Sequence, residues 1–270
     1  MQVRDTEGSL TKMRERLFND LGVVDIQGVL MNQQWEPTAC VEAIDYASDE
    51  EISPRRELGR AASRRKTDFA KQLSVPFYVV TSINQDRLKD LSFAVFEFRH
   101  ENDSLVAKTH EKALSGEQFA DFWADLKGTD QTKGLPDAGA RIQNSNVDQV
   151  LDGAGLAWGG NVDGVLFDAS GEVKSIIEVR KTTRSGLDEY DPSDYFHYRG
   201  GDYNTWKPLF RIAHRLEVPL VLLTFKRGES KCGFARLRRL SSEDGIEYHR
   251  EAPCDNLLSR QQAKHTLKRL

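Results

Sequence analysis

The feature that most constrains this chain is a pattern written twice. Residues 70–81 read AKQLSVPFYVVT and residues 213–224 read AHRLEVPLVLLT, and both fit A-x-x-L-x-V-P-x-x-x-x-T. In each, a helix-like apolar spacing runs into a proline and then into a continuous apolar run, which suits a helix feeding a strand buried on both faces. The flanks match in the same order. VVDIQGVLM (23–31) resembles NVDGVLF (161–167), and CVEAIDY (40–46) resembles IIEVRKT (176–182). Phe93-Ala94 resembles Phe234-Ala235, and LSGEQFADFWADL (114–126) resembles LSRQQAKHTLKRL (258–270). Five matches in one order indicate an internal duplication, and a repeat of this length sets the architecture before any single residue does.

Two similar domains follow, one at 1–128 and one at 145–270. The segment 129–144, rich in Gly and polar residues, reads as a linker. Each copy has the same coarse order: a short helix, two strands joined by a turn, a variable loop, an amphipathic helix, a buried strand, one further strand and a closing helix. In the second copy the turn is DASGE (168–172), whose Gly suits a hairpin. The amphipathic helix there is NTWKPLFRIAHRL, with an apolar face at 209, 210, 212, 213 and 216. Strands alternating with helices predict an α/β or mixed α+β fold, each domain a central mixed sheet flanked by helices.

Composition narrows the setting. Hydrophobic residues make up 39% and charged residues 30%, enough to bury a core and too apolar for a disordered chain. No apolar run is long enough for a membrane span, and MQVRDTEGSL has no signal-peptide core. Three distant cysteines, Cys40, Cys232 and Cys254, suit neither a disulfide framework nor a Cys-rich zinc site, so a cytosolic protein with reduced thiols is expected. A net charge of −4 means that any attraction to phosphate must come from local patches.

The second copy carries an arrangement with chemical logic. Asp163 opens one strand of a hairpin and Glu178 lies in the other, so their carboxylates can meet on one side. Two such oxygens suit a hard cation such as Mg2+, with Mn2+ as a substitute and waters completing the shell. Strand alternation puts Arg180 on the face of Glu178 and Lys181 on the other, unless a bulge turns it. The hairpin NVDGVLFDASGEVKSIIEVRK, followed by a helix and a buried strand, resembles the core of the PD-(D/E)xK nucleases over residues 145–225. The resemblance implies that Asp163 and Glu178 bind the metal, with the Val179 carbonyl as a further ligand. It also implies that Arg180 or Lys181 positions water and phosphate. Two departures stand out. Asn161-Val162 precedes the Asp where that superfamily often has Pro, and Arg180 stands in the place of its Lys. An arginine is almost never deprotonated, so Lys181, or Lys207 from the next helix, is an alternative partner for the water's proton.

In the first copy the matching residues read as Asp25, Glu42 and Ile44, with Asp45 in the place of Lys181. This predicts a degenerate site without a cation, on a domain that supports or binds. PRRELGRAASRRKTDFAK (54–71) holds seven Lys/Arg against two acids, and Arg56, Arg60, Arg64 and Lys71 fall near one helical face, flanked by Arg55 and Arg65. Such a face suits backbone phosphates, or is simply a solvated surface. The C-terminal stretch 226–270 has eleven Lys/Arg against six acids and reads the same way. The loop 183–206 is acidic and aromatic, with Tyr190, Tyr195, Phe196, Tyr198, Tyr203 and Trp206, suited to stacking bases or to packing on the core. His214 is expected on a helix surface, and no role is assigned to His197.

The expected function is a Mg2+-dependent endonuclease acting on DNA in restriction, defence or repair. A double-strand cut would require a homodimer or two successive binding events, and the expected partners are nucleic acid with a homodimer or a partner protein. The alternative is a catalytically inactive nuclease-like protein that binds nucleic acid or serves as a scaffold.

Overall fold

A computed structural model describes residues 10–46, 53–102, 104–130, 133–137, 139, 145–182, 202–226, 230–241, 245–249 and 257–270. The fold is mixed α+β, and the chain divides into two compact units. Their boundaries cut each half just after its first helix. Unit 1 is Ile26–Asn161, and unit 2 is Gln2–Asp25 with Val162–Leu270.

Helix α1 is Leu10–Leu21, and the strands of unit 1 are β1 (Val24–Met31), β2 (Pro37–Tyr46), β3 (Phe77–Ile83), β4 (Ser92–Glu101) and β5 (Ser104–Ser115). Its helices are α2 (Pro54–Leu58), α3 (Arg60–Gln72), α4 (Gly116–Lys127) and α5 (Asn146–Ala154). The strands lie in the order β1-β2-β3-β4-β5, with β2 and β3 parallel and the other neighbours antiparallel. The parallel step needs a crossover, and α2 and α3 supply it. The expected single basic helix over 54–71 is therefore two. Gly59 takes φ 74, ends α2 and begins α3, a conformation that favours a residue without Cβ.

Unit 2 contains β6 (Gly160–Phe167), β7 (Val173–Thr182), β8 (Leu220–Lys226), β9 (Lys231–Ser241), β10 (Gly245–Tyr248) and β11 (Leu257–Ser259). Its own helices are α6 (Asp202–Arg215) and α7 (Arg260–Arg269). The order is β6-β7-β8-β9-β10, with β11 also on β9. Here β7 and β8 are the parallel pair, so the strands of the two units share one connectivity. The final helices are capped alike as well. Ser115 and Ser259 each accept from the backbone N–H of a Gln three residues on, and that Gln's side chain accepts from the Ser N–H.

The first helices are exchanged. Helix α5, which opens the second half in sequence, buries Val147, Val150, Leu151 and Ala154 in the unit 1 core beside Phe119 and Trp123 of α4. Helix α1, which opens the first half, buries Leu17 in unit 2, among Ile177, Val221 and Leu223 of the sheet and Ala263 and Leu267 of α7. Asp20 on α1 pairs with Arg260 at 3.7 Å and Lys264 at 3.4 Å. In unit 1, Asp45 at the end of β2 seats the start of α5. Its carboxylate accepts from the Asn146 N–H at 3.1 Å and from the Ser82 hydroxyl at 2.6 Å, as a negative group at a helix N-terminus should. The Asn146 side chain donates to Ser82 Oγ and Asn84 Oδ1, both at 2.9 Å.

The segment expected as a linker is partly core. Leu135 is buried with α4 and α5, and the Lys133 N–H donates to the Ala154 carbonyl. No helix among the described residues is long and apolar enough to cross a membrane.

Candidate functional site

The hairpin β6–β7 builds the site in unit 2. At its turn the Asp168 carboxylate accepts from the Ser170 and Glu172 N–H groups, and Gly171 takes φ 90. Gly164 pairs with Ile177, which brings the preceding Asp163 level with Glu178 and Val179. Gly164 and Ile177 face the α1 and α7 core, so alternation turns Asp163 and Glu178 to the other face. There, Asp163 Oδ2 accepts from the Val179 N–H at 2.8 Å. Glu178 is buried at 7% exposure, and its Oε1 lies 3.4 Å from Arg180 Nε. The Arg180 guanidinium carbon stands 4.9 Å from the centre of the Trp206 ring of α6, within cation–π range.

Asp163, Glu178 and Arg180 therefore come together, and Trp206 joins them. Trp206, where the loop 183–206 overlaps the expected helix NTWKPLFRIAHRL, is a fully buried residue of α6. Lys181 is not brought in. The β7–β8 pairing runs without interruption from Ile176 to Thr182, so no bulge turns Lys181, which stays exposed on the opposite face. Lys207 extends over Tyr203, 5.4 Å from its ring centre. His214 is exposed on α6, as expected. Tyr190, Tyr195, Phe196, Tyr198 and His197 lie outside the described residues.

Unit 1 repeats the geometry with different chemistry. Gly28 pairs with Val41 as Gly164 pairs with Ile177. The Ala43 N–H donates to Gln27 Oε1 at 2.6 Å, as the Val179 N–H donates to Asp163. Gln27, not Asp25, is thus the counterpart of Asp163; Asp25 lies two residues earlier and is exposed. The shared Gly-Val-Leu that follows each residue carries this alignment in the sequence. Both glycines are held for space. A Cβ on Gly28 would lie 2.8 Å from the Trp158 indole nitrogen, and one on Gly164 would lie 2.7 Å from Val23 Cγ1.

Glu42, the counterpart of Glu178, is buried at 2% exposure and accepts from the Gln27 N–H at 3.0 Å. It is not without a cation. Lys66 Nζ, from α3, lies 2.8 Å from Glu42 Oε2, and the two side chains are only 6% and 3% exposed. The expectation that copy one lacks a cation is therefore overturned, because the charge comes from the helix rather than from the strand. The sequence did carry a signal. Lys66 sits on the apolar stripe of α3 with Phe69, Ala70 and Leu73, where a charge is buried and must be paired. Burial, and next Glu42, push the Cys40 thiol well above its usual range.

Of the basic residues, Arg60, Arg64 and Lys71 are exposed on α3, and Arg56 is exposed on α2 beside Glu57 at 3.5 Å. Asp163 and Glu178 supply two hard oxygen donors, the number that suits a cation keeping several waters. Among the described residues no cluster of three or more His, Cys, Asp or Glu is placed to hold a metal ion. No family model, no curated protein and no solved structure matches this chain.

Proposed function

We propose that unit 2 is a metal-dependent phosphodiesterase of the PD-(D/E)xK type, acting on DNA. The observation that supports this most is Asp163 and Glu178 at one level of the β6–β7 hairpin, on one face, with Arg180 beside them. Asp163 and Glu178 would hold Mg2+ or Mn2+, which when bound supplies a water of lowered pKa and neutralises phosphate charge. The Val179 N–H fixes the Asp163 carboxylate, and the Trp206 ring lies against the Arg180 guanidinium. Arg180, always charged, would bind a phosphate oxygen and stabilise charge developing in the transition state. It would not carry a proton. In unit 1, the exposed Arg60, Arg64 and Lys71, with Arg56, would contact the nucleic-acid backbone without reading sequence. Two buried free thiols, Cys40 and Cys232, suit a reducing, cytosolic setting.

The test is incubation of the pure protein with supercoiled plasmid, linear duplex, single-stranded DNA and RNA, in Mg2+, Mn2+ or EDTA. Asp163→Asn/Glu178→Ala serves as control. Cleavage that needs metal and is lost in the control is expected. Binding retained in EDTA with no cleavage of any substrate would favour the second reading, a non-catalytic nucleic-acid-binding protein. Two features support that reading. A metal group of three or more ligands is absent among the described residues, and Arg180 already sits against Glu178.

A further inference from the structure

We infer that Arg180 is an internal counter-ion that a divalent cation must displace from Glu178, so that the free protein holds its metal site closed. This rests on the metal-dependent reading of unit 2. The two units make the case by contrast. Each sheet buries a glutamate at the same register position, and a buried carboxylate requires a positive partner.

In unit 1 the partner is Lys66, at 2.8 Å and sealed at 6% exposure, with the Gln27 N–H on the other oxygen. That pair is locked. In unit 2 a cationic partner is Arg180, at 3.4 Å and 26% exposed. It is longer and its side chain as a whole is more exposed, although Nε itself is buried, and its guanidinium also lies against the Trp206 ring. A rotation of the side chain alone can take the charge off Glu178 while the stacking remains. A dication on Asp163 and Glu178 would meet the guanidinium as a like charge at short range, so the two compete for one carboxylate. The displaced guanidinium then presents its planar donor fork to a phosphate. Metal and phosphate would each favour the other's binding, by linkage.

The test measures metal binding to the full chain at low salt, reading free Mn2+ by electron paramagnetic resonance. Arg180→Met is expected to bind Mn2+ at least tenfold more tightly than the wild type, and adding Glu178→Gln is expected to abolish that gain. Equal or weaker binding by a folded Arg180→Met protein overturns the inference and leaves the metal reading standing. Saturable binding by neither protein overturns both. Arg180→Met removes a cation beside a buried carboxylate, so a second measurement uses the wild type. The Arg180 Nε–Hε resonance, assigned by its loss in Arg180→Lys, is expected to shift with Mg2+ and saturate. A resonance that stays still while neighbouring signals move overturns the inference.

Discussion

The two units solve one electrostatic problem in two ways. Each sheet buries a glutamate in its second strand, Glu42 in one and Glu178 in the other, and each must bring a cation to it. Unit 1 draws Lys66 from the crossover helix, and the strand position two residues after Glu42 is Ile44. Unit 2 draws Arg180 from that strand position, and its crossover helix presents buried Trp206 and Leu209 instead. The cation has moved between elements while the carboxylate has stayed. A short Lys reaching in from a helix is enclosed by the core. The Arg on the same strand makes a longer contact and its side chain is 26% exposed, so one pair reads as structural and the other as exchangeable.

The sharpest way to break this comparison is to remove each cation. Lys66→Met removes the cation paired with the buried Glu42 and is expected to cost about 3–5 kcal/mol. Arg180→Met is expected to cost less, about 1.5–3 kcal/mol, because the Arg180 side chain is more exposed and its contact with Glu178 is longer. Urea denaturation of both variants checks the order. Glu42→Gln combined with Lys66→Met should recover most of the loss in unit 1. Equal losses at the two sites would remove the distinction between a locked and an exchangeable pair.

The next test addresses the exchanged helices. Leu17→Ala and Leu151→Ala each empty a fully buried position and are expected to cost about 2–5 kcal/mol. The location matters more than the size. Leu17→Ala should lower amide hydrogen-exchange protection in β8 and β9 of unit 2, although Leu17 lies ahead of the Ile26–Asn161 segment of unit 1 in sequence. Leu151→Ala should do the same in β3 and β4 of unit 1. The reverse assignment would sink the exchange.

The smallest effect concerns acid at the start of α5. Burial, then Asp152, then Asp45 raise the Asp148 carboxyl above its ordinary range. A group raised in the folded state contributes most to stability below its unfolded pKa and loses that contribution as pH rises through the folded value. Asp148→Asn should therefore raise the Tm of unit 1 at pH 7, and the gain should shrink as pH falls into the carboxylate range. Thermal melts at pH 7 and pH 4 check this.

Much of the fold was legible in local pattern. The strands after Val75-Pro76 and Val218-Pro219, the hairpin turn at 168–172 and both terminal helices are signalled by periods, prolines and caps that act within a few residues. The pairing of Asp163 with Glu178 followed from hairpin geometry, and strand alternation separated Arg180 from Lys181. Equivalences between the copies were harder to read. Asp25 invites comparison with Asp163 by residue type, but the Gly-Val-Leu anchor and the backbone register select Gln27. The Phe-Ala pairs are also offset: Ala94 opposes Thr81, whereas the residue opposing Thr224 is Gly233, not Ala235.

The sequence by itself determined a mixed α+β fold, a pattern that recurs in its two halves, which faces of their elements are apolar, and a hairpin that pairs Asp163 with Glu178 two residues before Arg180. Only the tertiary structure decided that α1 completes the core of unit 2 and α5 that of unit 1, that Lys66 neutralises Glu42, and that Trp206 backs Arg180. The reason is physical. Periodicity states that a face must be covered, and burial states that a charge must be paired, but hydrophobic burial is non-directional and accepts any complementary helix. A charge likewise accepts any counter-ion within reach. The choice among partners distant in sequence is made by the space left once the sheets have formed.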